Sequence, residues 1–289
     1  MEEQKAIYGI IGNPLKHSLS PILHNAAFKA LAVPAEYRLF PLEEGQLESF
    51  FQELRNTDSS IFGLNVTVPY KETVIPYLDS LNPLAQQVGA VNTIVISEKR
   101  KLTGYNTDAP GFMAHLIELN FSVEGKNIAI LGAGGSARAI LSTLCIIPDR
   151  PRSIRIYNRT TARVNELIED LKKRFDLDIV EAVISVDDLN LRECDLLINT
   201  TSVGMKRDDP CLVDEDLLHP GMLVYDLIYR PKETALLKLA KHAGALTANG
   251  LGMLFYQGVL SLEHWADTRI DDNVKIAMRQ ALERAAHYE

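Results

Sequence analysis

Cysteine is scarce in this chain: three in 289 residues, Cys145, Cys194 and Cys211. Their odd number and their spacing match neither a disulfide framework nor a zinc site, so they read as core or incidental thiols. The seven histidines include no pair at helical ligand spacing, and no metal is expected. Positive charge is not in excess. The formal net charge of -8 argues against nucleic acid or an anionic membrane as partner, so any anionic ligand must be held by local cations and backbone dipoles. No apolar run approaches the ~20 residues of a membrane span. Met1-Glu-Glu-Gln-Lys5 lacks a signal-peptide pattern, and the expected location is the cytoplasm.

What the chain does have is length and apolar content. At 289 residues and 46% hydrophobic it suggests two domains, each with a sizeable core. Residues 125–140 organise the rest: Ile128-Ala-Ile-Leu131 is the short apolar run of a strand buried on both faces, and Gly132-Ala133-Gly134-Gly135-Ser136-Ala137 follows it directly. That is the dinucleotide-binding spacing in its Ala-ending form. Gly132 permits the turn, Gly134 lets backbone N–H groups approach a pyrophosphate, and Ala137 lets the next helix lie close on its strand. At the end of the following strand, Ser153–Tyr157, an NAD enzyme presents an acid to the ribose; here stand Asn158, Arg159 and Thr160, then Arg163. Two guanidiniums suit a 2′-phosphate, so NADP is favoured, although Thr160 also suits a helix cap.

Strands and helices alternate throughout, which makes the fold α/β. Strands are expected at 7–11, 36–40 and 62–68, with helices from Pro21 and Glu43. A helical piece around 76–88 precedes a hairpin of 90–96 with 102–105 on the sheet edge. A hinge near 107 leads through a helix from Asp108 into the glycine unit, whose later strands fall at 179–183, 195–200, 222–227 and 245–248. Helices at about 253–266 and 271–286 finish the chain, either capping the second sheet or crossing back to the first.

Polar residues interrupt the first half where chemistry is plausible. Ser18 and Ser20 precede a helix start with Pro21, a place for a carboxylate, while Ser20 reads equally as an N-cap. Asn65 and Thr67 share one face of a strand end, and Lys71, which alone reads as a surface lysine, follows them. Asn92 breaks another apolar strand, and Asp108 reads either as functional or as an N-cap.

With Ser18-x-Ser20, Asn65-Val-Thr67-Val-Pro69-x-Lys71, Ala90-Val-Asn92-Thr, Asn106-Thr107-Asp108, Gly132-Ala-Gly134-Gly135, Asn158-Arg159-Thr160, Tyr225-Asp226-x-x-Tyr229 and Gly250-Leu-Gly252-Met253 with Gln257 in this order, the chain resembles the shikimate dehydrogenase family over nearly its whole length. The resemblance implies an N-terminal α/β substrate domain, residues 1–107 completed by the helices of 250–289. It further implies a Rossmann-type doubly wound NADP domain, 108–249, and a cleft between the two. It implies NADP-dependent, reversible reduction of 3-dehydroshikimate to shikimate, in aromatic amino-acid biosynthesis, by a monomer or homodimer. Lys71 and Asp108 would be the reacting pair. Ser18 and Ser20 would hold the substrate carboxylate, and Asn65, Thr67, Asn92, Tyr229 and Gln257 its hydroxyl or carbonyl groups. Gly132 to Ser136 would hold the pyrophosphate and Asn158 to Arg163 the 2′-phosphate, with Leu227 and Gly250 beside the nicotinamide. Asn82-Pro83 departs from members that carry an acid there. Quinate dehydrogenases are the nearest rival, disfavoured by serine at both 18 and 20; a non-catalytic sensor on the same scaffold is disfavoured by Lys71 and Asp108.

Overall fold

The computed structural model describes residues 5–287. The N-terminal segment weighed above as a signal peptide lies, up to Gln4, outside them. Two compact units emerge, one formed by residues up to Gly111 together with those from Leu254 onward, the other by Phe112–Met253. Both divisions fall inside helices, so the chain passes between units as helix rather than as loop.

The first unit runs β1 (Ala6–Gly12), α1 (Ser20–Ala30), β2 (Ala35–Pro41), α2 (Leu47–Leu54), β3 (Ile61–Val66), β4 (Ser80–Leu81), α3 (Pro83–Val88), β5 (Thr93–Ile96), β6 (Leu102–Tyr105) and the first turn of α4 (Asp108–Glu118). The second continues with β7 (Asn127–Leu131), α5 (Gly135–Ile146), β8 (Ser153–Tyr157), α6 (Thr161–Lys172), β9 (Val180–Ala182), β10 (Leu196–Asn199), β11 (Leu223–Asp226), α7 (Ala235–His242) and β12 (Leu246–Asn249). Most of α8 (Leu251–Ala266) and all of α9 (Asp272–His287) belong again to the first unit.

The first sheet has the order β2-β1-β3-β5-β6-β4 and is mixed: β3, β5 and β6 pair antiparallel, while β4 lies parallel to β6. The hairpin β5–β6 therefore sits inside the sheet and not at its edge as expected. The edge is β4, whose two residues lie within the stretch read as helical; that stretch divides into a 3-10 turn at Ile75–Tyr77, the strand, and α3. Two residues carry no periodicity from which a strand is recognised. One core contains Ile11, Phe51, Leu64, Val66, Ile94 and Leu102. Elsewhere in the unit Tyr8 meets Phe28 of α1 and Trp265 of α8 at ring-centroid distances of 5.1 and 5.0 Å.

The second sheet, β12-β11-β10-β7-β8-β9, is parallel throughout. Its central strands β7 and β10 are apolar on both faces because both are covered: Ile128, Ile130, Leu196 and Ile198 belong to one core, and Ala129, Leu131 and Leu197 to the other. This is the doubly wound arrangement, in which strand ends at the carboxyl edge position the ligand-facing loops. Among the described residues no helix is long and apolar enough to cross a membrane.

Candidate active site

Lys71 lies in the turn after β3 and is only 8% exposed, so the surface reading does not hold. Its Nζ donates to Asp108 Oδ2 at 2.7 Å, the side chains being 10% and 8% exposed. Asp108 is the first residue of α4 and does not cap it; the Asn106 side chain accepts the Ala109 N–H at 3.1 Å instead, which releases the carboxylate for Lys71. The other oxygen, Oδ1, accepts from Asn92 Nδ2 at 2.9 Å. Asn92, 2% exposed just before β5, is held in turn by the Thr107 N–H, which donates to its Oδ1 at 2.7 Å. Gln257 on α8 brings Oε1 to 3.4 Å from Asn92 Nδ2. Lys71, Asp108, Asn92 and Gln257 thus meet in one cluster inside the first unit. Two buried opposite charges with satisfied lone pairs form a costly arrangement that folding alone does not require.

Of the remaining expected substrate contacts, all but Tyr229 belong to this unit. Asn65 is 4% exposed, and its amide is engaged by Tyr37, Asn92, Thr93 and Ser261, while Thr67 stands half-buried just beyond the end of β3. Ser20 is not the N-cap. It is itself the first residue of α1, the cap position is Leu19, and Ser18 Oγ accepts the Ser20 N–H at 3.3 Å. A residue with helical dihedrals at that point cannot turn its hydroxyl back onto the following N–H groups as a cap does. Tyr229 lies half-buried in the second unit, after β11.

In the second unit the glycine turn joins β7 to α5. Gly132 has φ +108°, and a Cβ there would also strike Thr200 Oγ1, so two independent constraints require glycine. Gly134 is extended and occupies the N-cap position of α5, and a Cβ on it would meet nothing within 4 Å. Ala133, Gly135 and Ser136 complete an open cradle at a helix N-terminus, whose first N–H groups have no intrahelical partner. At the end of β8, Arg159, Thr160 and Arg163 are exposed. Thr160 occupies the N-cap position of α6 without a side-chain cap bond, and Asn158 Nδ2 donates to its carbonyl at 3.0 Å. Arg38, Arg55, Arg138, Arg150, Arg155, Arg192 and Arg269 all have carboxylate partners. Among the described residues Arg159 and Arg163 have none. Gly250 packs so tightly on the Leu227 carbonyl that a Cβ would overlap it, which brings these two candidates together.

Sequence patterns did not single out Tyr37, Thr93, Ser261 or the pair Asn199 and Thr234. The last two hold Asp226, fully buried at the end of β11, through Asn199 Nδ2 at 2.9 Å and Thr234 Oγ1 at 2.6 Å. Burial pushes the Asp226 carboxyl above its usual range, and those bonds, with one from the Ile228 N–H, oppose the rise. Ser261 had a readable signal: it lies four residues after Gln257, on the same helix face.

One unit with a glycine turn at a helix N-terminus and another holding a buried lysine–aspartate pair is the build of a dinucleotide-dependent oxidoreductase. Family models described as "Shikimate dehydrogenase substrate binding domain" and "Shikimate / quinate 5-dehydrogenase" match residues 10–94 and 115–207. A shikimate dehydrogenase (NADP(+)) of Geobacillus kaustophilus is 42% identical over 283 residues, 96% of this chain and 99% of its own length. Among solved structures, shikimate dehydrogenase of Aquifex aeolicus superposes with TM-score 0.85 at 34% identity, covering 96% of this chain and 98% of its own. The Thermus thermophilus shikimate 5-dehydrogenase, solved in complex with NADP(H) and shikimate, does so with TM-score 0.83 at 32% identity, covering 96% and 99%. The chain belongs to the shikimate dehydrogenase family.

Proposed function

We propose that this chain catalyses the reversible NADP-dependent reduction of 3-dehydroshikimate to shikimate, the step that leads toward chorismate and the aromatic amino acids. The observation that carries the reading is the buried Lys71–Asp108 pair with Asn92 on its second carboxylate oxygen. The first unit takes the substrate role and the second the cofactor role. The residues of the second unit fit a dinucleotide: the open cradle of Gly132 to Ser136 suits a pyrophosphate, Arg159 and Arg163, without a carboxylate partner among the described residues, suit a 2′-phosphate together with Asn158 and Thr160, and Leu227 and Gly250 form a tight main-chain contact that would border the nicotinamide. When bound, the reduced nicotinamide supplies a hydride.

The chain's own part is to handle the proton. The ammonium of Lys71 hydrogen-bonds the substrate carbonyl oxygen, stabilises the negative charge that develops there and delivers a proton from Nζ; solvent then reprotonates the amine. Asp108 aims Nζ and is itself kept aimed by Asn92. Ser18 and Ser20, at the start of α1, bind the ring carboxylate; Asn92, Gln257 and Thr67 contact ring oxygens. For Tyr229 the reading rests on the family motif Tyr225-Asp-Leu-Ile-Tyr229, and for Asn65 on a supporting position behind Asn92. A cytoplasmic location accompanies the reading, and sedimentation distinguishes monomer from homodimer.

The test follows reduced nicotinamide absorbance with shikimate or quinate, each with NADP+ or NAD+. Turnover should be fastest with shikimate and NADP+, and Lys71→Met, which keeps the aliphatic volume, should lower kcat by about 10²-fold or more at unchanged NADP+ affinity. Near-normal kcat in that variant refutes the role of Lys71; a preference for quinate or NAD+ overturns the substrate or cofactor assignment.

A further inference from the structure

Behind the reacting pair the first unit buries a continuous polar chain. Tyr37 of β2, Asn65 of β3, Asn92 and Thr93 at β5, Thr107 before α4 and Ser261 of α8 are all less than 5% exposed. Tyr37 OH lies 2.6 Å from Asn65 Oδ1. Asn65 Nδ2 donates to the Asn92 carbonyl at 3.1 Å, to Ser261 Oγ at 2.9 Å and to Thr93 Oγ1 at 3.2 Å. The three hydroxyls of Thr93, Thr107 and Ser261 form a triangle with sides of 2.8, 3.2 and 3.2 Å.

The directions of these bonds follow from the groups at the ends, which have no choice. A backbone carbonyl only accepts, so Asn65 must turn its NH2 to Asn92 and its Oδ1 to Tyr37, whose hydroxyl therefore donates. The Gln257 carbonyl likewise only accepts, and takes the Ser261 proton at 2.8 Å. Ser261 is then an acceptor toward Thr93 and Asn65. The Thr107 N–H only donates, so Asn92 Oδ1 must face it, and Asn92 Nδ2 is left to face Thr107 Oγ1 at 2.9 Å and Asp108 Oδ1 at 2.9 Å. The single Thr93 hydroxyl proton has two acceptors in reach, Ser261 Oγ at 2.8 Å and Asn92 Oδ1 at 3.2 Å. The amides of Asn65 and Asn92 and the hydroxyl of Ser261 cannot reverse without stranding a buried donor or acceptor, whereas the Thr93–Thr107 contact is open in either direction.

We propose that Thr93 and Ser261 are positioning residues of the reaction: while Tyr37 and Asn65 hold the main-chain carbonyl of Asn92, they lock its side-chain amide, and through it the Asp108 carboxylate that aims Lys71. The proposal rests on the function given above for its catalytic readout, but not for its structural one. Thr93→Val keeps the shape and exchanges the hydroxyl for a methyl; Thr93→Ser keeps the hydroxyl and loses a methyl; Ser261→Ala reaches the same triangle from another element. The kinetic readout is shikimate oxidation with NADP+. The spectroscopic readout is solvent exchange of the Asn92 side-chain amide protons, assigned by their loss in Asn92→Asp.

Thr93→Val and Ser261→Ala should each lower kcat about tenfold while KM for NADP+ stays within about twofold, and should speed Asn92 exchange about tenfold or more; Thr93→Ser should restore both. Unchanged Asn92 exchange in both hydroxyl-deleting variants overturns the proposal, as does a kcat loss that Thr93→Ser fails to restore. If Thr93→Val does not fold, Ser261→Ala carries the same comparison. Wild-type protein without shikimate turnover would remove the proposed function, yet the exchange measurement would still decide whether the chain of hydroxyls holds Asn92.

Discussion

A histidine with no exposed surface is charged only at a high cost. His24 is completely buried in α1, stacked on Tyr37 at 4.5 Å and tilted against Trp265 at 5.0 Å, and burial pushes its pKa down to about 3, the nearby Asn65 side chain only partly opposing. The unfolded chain takes up this proton near pH 6.5 and the folded chain does not, so the contribution to stability is complete above about 6.5 and is lost as pH falls toward 3. At pH 5 the loss is about 2 kcal/mol. Asp226 acts in the opposite sense: its raised pKa favours the folded state at low pH, and that contribution is lost as pH rises through the raised value. His24→Phe retains the ring stack and Asp226 alike. Urea unfolding at pH 7 and pH 5 should therefore show the wild type losing about 2 kcal/mol more than the variant; equal losses would mean that His24 titrates normally in the folded protein. Lys71 makes a different point at this scale. Nothing adjacent in sequence marks it as buried, because its partner Asp108 arrives from a segment 37 residues further on.

At the scale of the element, the turn between β7 and α5 uses two glycines for different reasons. Gly132 needs a left-handed backbone and clearance from Thr200, so Gly132→Ala should cost about 1–3 kcal/mol, read as a lower urea midpoint. Gly134→Ala should leave stability within about 0.5 kcal/mol and weaken NADP+ binding about tenfold or more, since its missing side chain faces open space. The reverse pattern would exchange their roles. At the end of β8, changing both Arg159 and Arg163 to Ala should weaken NADP+ far more than NAD+ in titration calorimetry; equal loss would remove the 2′-phosphate from that corner. The second sheet was legible in the sequence because its central strands β7 and β10 are apolar on both faces and β7, β8, β11 and β12 are each followed by an α-helix. The far side of the first sheet was less so. A two-residue strand such as β4 gains its identity only from the neighbour it pairs with, and the start of α1 was displaced because the cap role of Ser20 depends on dihedrals that the sequence does not specify.

For the whole molecule, the sole tryptophan is a reporter of one unit. Trp265 Nε1 donates to the Ile94 carbonyl at 3.0 Å, within the unit that holds Lys71 and Asp108. Shikimate at a hundred times its Kd should add about 2.7 kcal/mol to the stability of that unit. With an m-value of about 2–3 kcal/mol/M, the urea midpoint followed by Trp265 emission should rise by about 1 M. A midpoint unmoved by saturating shikimate would take the substrate site away from this unit.

The amino-acid order by itself determined the α/β class, the glycine turn, the acid-free corner that favours NADP, and the ordered motifs that announce the family, because these depend on local spacing: period-two burial, tight turns and residues a few positions apart. Only the tertiary structure decided that Lys71 is buried, that Asp108 pairs instead of capping, that the Asn65 amide donates to the Asn92 carbonyl, and that α8 brings Gln257 and Ser261 to residues 165 and 196 positions away in sequence. Burial and hydrogen-bond partnership are properties of segments brought together by packing, and no local pattern states which distant donor will meet which acceptor.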